Sequence, residues 1–188
     1  MIECICALVP SIDTATHVVL AIHAAEAKKP TGTGLLAARC LRNARVVVVD
    51  DAPPAALELG APAVVLADVE GAIDVRDVVD VVGGRVRTLV VPDGTWRQAR
   101  RIRRRIPGVD TLPCVKLPPG APTEYALRSD AHDGGLATLE AIARALAILE
   151  DDAAIESAMM APFRALVQRT LAARGVRVGH GARVDQNA

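Results

Sequence analysis

Residues 87–105, RTLVVPDGTWRQARRIRRR, constrain the fold of this chain more than any other stretch. The apolar run Thr88, Leu89, Val90, Val91 is short, β-branched and ended by Pro92, the pattern of a strand buried inside a parallel sheet. From Trp96 to Arg105 good helix formers follow, with neither Gly nor Pro until Pro107. Asp93, Gly94 and Thr95 stand between the two, with Thr95 and Gln98 at the spacing of a capping box. A strand that turns sharply into a helix delivers the turn to the carboxyl edge of its sheet, where α/β proteins bind ligands. Trp96 is the chain's single tryptophan, and six arginines (97, 100, 101, 103, 104, 105) follow it without an intervening acid.

The remaining chain repeats the same alternation. Residues 17–22, 46–49, 63–67 and 112–117 read as further strands. Helical spacing marks 33–43, 74–82, 138–150 and 152–174, with a short helical turn at 55–59 and a bend at Pro162. Residues 23–34 form a polar loop, and 118–135 form a long one rich in Pro, Gly, Asp and Ser, a length that usually carries function or disorder. Strands alternating with helices predict an α/β fold: a parallel sheet flanked by helices. At 188 residues the chain is long enough for one well-packed domain, set at residues 1–175 with 176–188 as a loose tail.

Composition narrows the function. Apolar residues are 51% of the chain, which excludes disorder for most of it. Twenty-two basic residues balance 22 acidic ones, so any nucleic-acid contact must rest on a local basic patch. No apolar run approaches the ~18 residues of a membrane span, and no signal-peptide pattern opens the sequence. Four scattered cysteines (4, 6, 40, 114) suit a reducing cytoplasm, which is the expected location. Trp96, Tyr125 and Phe163 are all the aromatics present, enough to stack one or two bases but not a platform of several. Nothing in the sequence specifies an oligomeric state.

Five segments occur in one order: His23-x-x-Glu26, Thr33-Gly34, Asp93-Gly94-Thr95-Trp96, Tyr125-x-Leu127-Arg128 and Leu136-Ala137-Thr138-Leu139-Glu140-Ala141. Together they resemble the DTW-domain family, the tRNA-uridine aminocarboxypropyltransferases, over roughly residues 4–175. The resemblance implies a SPOUT-like fold whose knotted carboxyl half binds S-adenosylmethionine. It further implies transfer of the 3-amino-3-carboxypropyl group to N3 of a tRNA uridine, with release of methylthioadenosine. Two departures stand out. Gly32 occupies a position where the family usually has Asn, and Cys4 and Cys6 lack the upstream Cys-x-x-Cys pair that many members carry. Two thiolates are half of a tetrahedral site, so no zinc is expected.

Roles follow from the resemblance together with the chemistry. Asp93 is the candidate base, or holder, for the N3 proton, with helix capping as its alternative. Thr95 and Trp96 complete the catalytic turn; Trp96 would stack on the target base, wall the adenosine pocket, or pack in the core. Leu66, Pro92, Gly94, Leu117, Tyr125, Arg128 and Thr138 are the expected S-adenosylmethionine contacts. Among these, Arg128 would pair with the cofactor carboxylate or with RNA. Thr138 rests on the resemblance, since a first-turn capping role explains both it and Glu140. Arg97, Arg100, Arg101 and Arg104 suit tRNA phosphates, Lys28 and Lys29 extend that surface, and His23 with Glu26 would contact RNA or hold its loop through hydrogen bonds. Ala99, Ile102 and Ile106 mark the inward face, which would draw Arg103 into packing. The backbone N–H groups at the Thr33-Gly34 helix start would offer donors to an anionic group. Two other readings use the same residues: a SPOUT-type RNA methyltransferase, and a non-catalytic RNA-binding module.

Overall fold

A computed structural model describes residues 4–50, 54–127 and 135–176. Six strands form one sheet: β1 (His17–His23), β2 (Ala44–Val49), β3 (Ala63–Leu66), β4 (Ile73–Asp74), β5 (Thr88–Asp93) and β6 (Cys114–Lys116). Their order is β2-β1-β5-β3-β6-β4, and every pairing is parallel. The helices are α1 (Ala24–Ala27), α2 (Thr33–Cys40), α3 (Val78–Val82), α4 (Trp96–Arg105), α5 (Thr138–Leu149) and α6 (Ala153–Ala173). No helix among the described residues is long and apolar enough to cross a membrane.

Both faces of the sheet are covered, which is why β1 is apolar without alternation from Val18 to Ile22. One face carries Val18, Leu20, Ile22, Leu89 and Val91 against α2, α5 and α6, with Phe163 and Met159 fully buried between. The other carries Val19, Ala21, Val65 and Val90 against Ile102 and Ile106, the inward stripe of α4. Because β2 is an edge strand, Val46 and Val48 stay exposed although their sequence matches the interior strands. The chain threads β5 between β1 and β3, and later β6 between β3 and β4. The carboxyl end of β5 therefore lies at the centre of the sheet.

Four expectations need correction. Residues 54–60 form no helical turn; Leu57 and Leu59, two apart, both reach the second core face, which requires extended backbone. The helix expected over 74–82 begins at Val78, because Ile73-Asp74 pairs with β6 as β4 and residues 75–77 form the turn that leads out of it. The strand expected at 112–117 is confined to Cys114–Lys116, and residues 107–111 before it are a turn with Gly108 at φ 82°. Inside the predicted loop after β1, Ala24–Ala27 makes one helical turn. At the other end, α6 continues through Pro162 as one element, capped by Asp152 on the Ala154 N–H. Of the expected tail, residues 177–188 lie outside the described residues.

Candidate active site at the carboxyl edge of the sheet

Asp93, the last residue of β5, is half-buried where two helix N-termini converge. Its Oδ1 accepts a hydrogen bond of 2.6 Å from Thr138 Oγ1, the first residue of α5. Its Oδ2 packs against Gly34, the second residue of α2: a Cβ placed there would fall 2.2 Å from that oxygen. The positive ends of α2 and α5 thus face the carboxylate. Asp93 does not cap α4, and Thr138 does not cap α5, whose cap position is Ala137. The capping explanation of both fails, and the two side chains are joined to each other instead.

The turn after Asp93 is locked by the capping box that the sequence predicts. Thr95 Oγ1 accepts from Gln98 N at 3.3 Å, and Gln98 Oε1 accepts from Thr95 N at 2.8 Å. Gly94 is required for this, since a Cβ there would meet Gln98 Cβ at 2.8 Å. The Thr95 hydroxyl oxygen is therefore engaged in holding the turn. Trp96 opens α4 and is 72% exposed, which overturns the core-packing reading and leaves a large apolar face open beside the site. Gln98 also reaches across to β1, its Nε2 lying 3.2 Å from His23 Nδ1.

Over the ends of β3 and β6 runs the segment 117–127, tied down at several points. Glu140, fully buried on α5, accepts from Thr123 Oγ1, Glu124 N and Ala137 N at 2.6–2.7 Å. Capping accounts for only the last of these, and no local pattern marks Glu140 as the residue that holds the loop. Arg164 of α6 binds the Glu124 carboxylate at 2.7 and 2.8 Å and keeps its pKa below the usual value. Tyr125 stacks on Phe163 with ring centroids 5.9 Å apart, and its hydroxyl donates to Thr31 O ahead of α2. Leu66 and Leu117 pack against the first core cluster. Leu117 also lines a depression of about 320 Å³ with Pro118, Ala121, Arg144 and Ile148. Pro92 lies on β5 beside Ala21, one residue before Asp93. Arg128 lies outside the described residues.

The basic face divides as the helical period dictates. Ile102 is buried and Ala99 half-buried, while Arg97, Arg100, Arg101 and Arg104 are exposed on α4. Arg103 is drawn inward and donates to Cys114 Sγ at 2.6 Å, and Arg105 donates to Asp50 O at 3.0 Å. Lys28 and Lys29 are exposed just after α1, with Lys29 paired to Glu26 at 2.7 Å. Far from the sheet edge in sequence, Cys4 and Cys6 place their sulfurs 2.7 Å apart at the surface.

The tRNA-uridine aminocarboxypropyltransferase 2 of Drosophila melanogaster is 36% identical over 84 residues, covering 45% of this chain and 34% of that protein. The match thus spans about a third of the relative's length. No solved structure matches the chain. The DTW domain matches residues 1–171, nearly the whole sequence, and includes the Asp93-to-Trp96 turn, the Thr138 helix start and the arginine helix between them. This chain belongs to the DTW-domain family.

Proposed function

We propose that this protein transfers the 3-amino-3-carboxypropyl group of S-adenosylmethionine to N3 of a uridine in tRNA and releases methylthioadenosine. The observation that carries the reading is the juxtaposition at one sheet edge: a carboxylate fixed by Thr138 and Gly34, an exposed Trp96, and a helix presenting four exposed arginines. S-adenosylmethionine, as co-substrate, supplies a sulfonium-activated carbon. Uracil N3 bonds that carbon as the carbon–sulfur bond breaks, and both electrons of the broken bond stay on sulfur. The proton of N3 leaves to Asp93, whose orientation is held by the Thr138 hydroxyl. Trp96 stacks on the target base, a contact worth about 1–3 kcal/mol per base in single-strand binding.

In this reading S-adenosylmethionine binds over the ends of β3, β5 and β6, with Leu66, Pro92, Gly94, Leu117 and Tyr125 around it. Of these residues Leu117 also borders the depression walled by Pro118, Ala121, Arg144 and Ile148, on the side of α5 away from its first turn. In this reading the insertions of β5 and β6 between earlier strands belong to a SPOUT-like knot. The arginine row and Lys28, Lys29 hold the tRNA backbone, and the reaction takes place in the cytoplasm.

Asp93→Ala tests the assignment. It is expected to bind tRNA with unchanged affinity while losing transfer by at least 100-fold, the scale of general-base contributions. Equal loss of binding and transfer would reject a role for Asp93 at N3. Replacing Arg97, Arg100 and Arg104 together by Ala is expected to flatten the dependence of log K on log salt by roughly 0.7–0.9 per phosphate contact removed. An unchanged slope would remove α4 from the RNA surface.

A further inference from the structure

His23 stands at the end of β1, and its ring is held in one tautomer by two donors. The Thr95 N–H bonds Gln98 Oε1, so the other terminus of that amide is the NH2 group, and it meets His23 Nδ1 at 3.2 Å. The Ala25 N–H also donates to Nδ1 at 3.2 Å, as the cap of α1. A backbone N–H has no way to accept, so Nδ1 is the acceptor and the ring proton resides on Nε2. Among the described residues Nε2–H meets no acceptor. The half-buried imidazole therefore carries one fixed, unused donor.

Its location gives that donor a meaning. Ile22 is in register with Asp93, so His23 lies one step further along β1, level with Gly94. A Cβ on Gly94 would sit 3.5 Å from His23 Cβ. Strand spacing and rise put the His23 and Asp93 Cα atoms about 6 Å apart, with the imidazole on the α4 side of the sheet and the carboxylate on the α2 and α5 side, so a base that meets both lies across the strand ends. In uracil, N3–H is flanked by the carbonyl oxygens O2 and O4; cytosine carries an amino donor in place of O4. When N3 loses its proton, negative charge spreads onto both oxygens, and a preorganised N–H donor at one of them lowers the barrier.

We propose that His23 Nε2–H donates to uracil O4, making His23 the contact that selects uridine over cytidine and stabilises the deprotonated ring. The inference rests on the uridine N3 reading above. It also assigns Gln98 a positioning role, since Gln98 fixes the tautomer through the same amide that caps α4.

The test uses His23→Asn. Asn is a strong helix cap and keeps an acceptor for the Ala25 N–H, but it withdraws the Nε2 donor. Both proteins are assayed on one tRNA transcript made with uridine, with 4-thiouridine or with 2-thiouridine, sulfur being a weak acceptor. On the uridine transcript, His23→Asn is expected to lower kcat/KM on the order of 100-fold, with Tm and tRNA affinity retained. The 4-thio substitution is expected to slow the parent protein at least tenfold more than it slows His23→Asn, and the 2-thio substitution to affect both alike. Full activity of His23→Asn would show that the imidazole is merely a cap. Equal 4-thio effects in both proteins would overturn the contact, and selective coupling to 2-thiouridine would overturn its assignment to O4. Failure of the parent protein to modify any uridine transcript would instead overturn the functional reading, and this contact with it.

Discussion

Gly34→Ala sets two effects of opposite sign against each other. Gly34 is the second residue of α2, where alanine favours the helix over glycine by up to about 1 kcal/mol. The new Cβ, however, falls 2.2 Å from Asp93 Oδ2, 3.0 Å from its Cγ and 3.3 Å from Leu20 Cδ1. An ordinary contact requires about 3.5 Å, so the carboxylate must retreat by about 1 Å. It is not free to do so, because Oδ1 is bonded to Thr138 at 2.6 Å and the backbone of Asp93 is fixed in the sheet. Overpacking of this kind costs about 1–3 kcal/mol, and weakening a hydrogen bond to a charged group adds to it. The steric term exceeds the propensity term, and net destabilisation of about 1–3 kcal/mol is expected. For a chain of this size that lowers Tm by roughly 2–4 °C per kcal/mol. Transfer activity should fall further than stability does, about 100-fold for a 1 Å misplacement of a reacting group. Thermal unfolding and single-turnover transfer to tRNA measure the two separately. A Gly34→Ala protein that is more stable and fully active would refute the tight packing of Asp93 and the role built on it.

Other consequences are equally accessible. Burial works to raise the pKa of Glu150, but hydrogen bonds from Thr16 and Ala15 N–H groups and the Arg85 guanidinium outweigh it and hold the pKa below 4.5. A depressed folded pKa stabilises above the unfolded value and loses that contribution as pH falls through the folded one. Glu150→Gln should therefore cost about 1–3 kcal/mol at pH 7 in urea unfolding, with the difference from the parent shrinking steadily as pH drops below 4.5. Burial pushes the Cys40 thiol up to about 11, so pulse alkylation at pH 8 should label exposed Cys4 and Cys6 well before Cys40. Equal rates would contradict the packing of α2. Asp151 has φ 54°, and Asp151→Gly should raise stability by about 0.5–1 kcal/mol; a loss would show that its side chain matters more than its backbone. Glu140→Ala leaves three donors without their acceptor, two of them on the 117–127 segment, and should cost about 2–3 kcal/mol. Amide exchange in that segment should accelerate; unchanged exchange would mean the other ties suffice.

The sequence reading succeeded where periodicity and local chemistry decide the outcome. The run Leu89–Val91 announces a strand buried on both faces, and Ala99, Ile102 and Ile106 separate the inward side of α4 from its arginines. Thr95 and Gln98 declare their own cap. It failed where non-local contacts decide. Ile73-Asp74 is too short to carry a period, and it is a strand because Lys116 O and Val115 lie beside it. Leu57 and Leu59 fit a helix or an extended segment until the second core face selects the latter. Thr138 and Glu140 sit at positions where capping is a complete local explanation. Nothing local shows that Thr138 meets a side chain 45 residues earlier, or that Glu140 holds a loop. Gly34 likewise looks like a helix start until Asp93 is packed against it.

Nucleoside mass spectrometry of unmodified bulk tRNA after incubation with the protein and S-adenosylmethionine, with the small-molecule product measured in the same reaction, decides whether this chain is an aminocarboxypropyl transferase. The expected products are a uridine heavier by one 3-amino-3-carboxypropyl group and methylthioadenosine in equal amount, with neither formed by Asp93→Ala. Methylated uridine accompanied by S-adenosylhomocysteine, or tRNA left unchanged while still bound, would contradict that assignment.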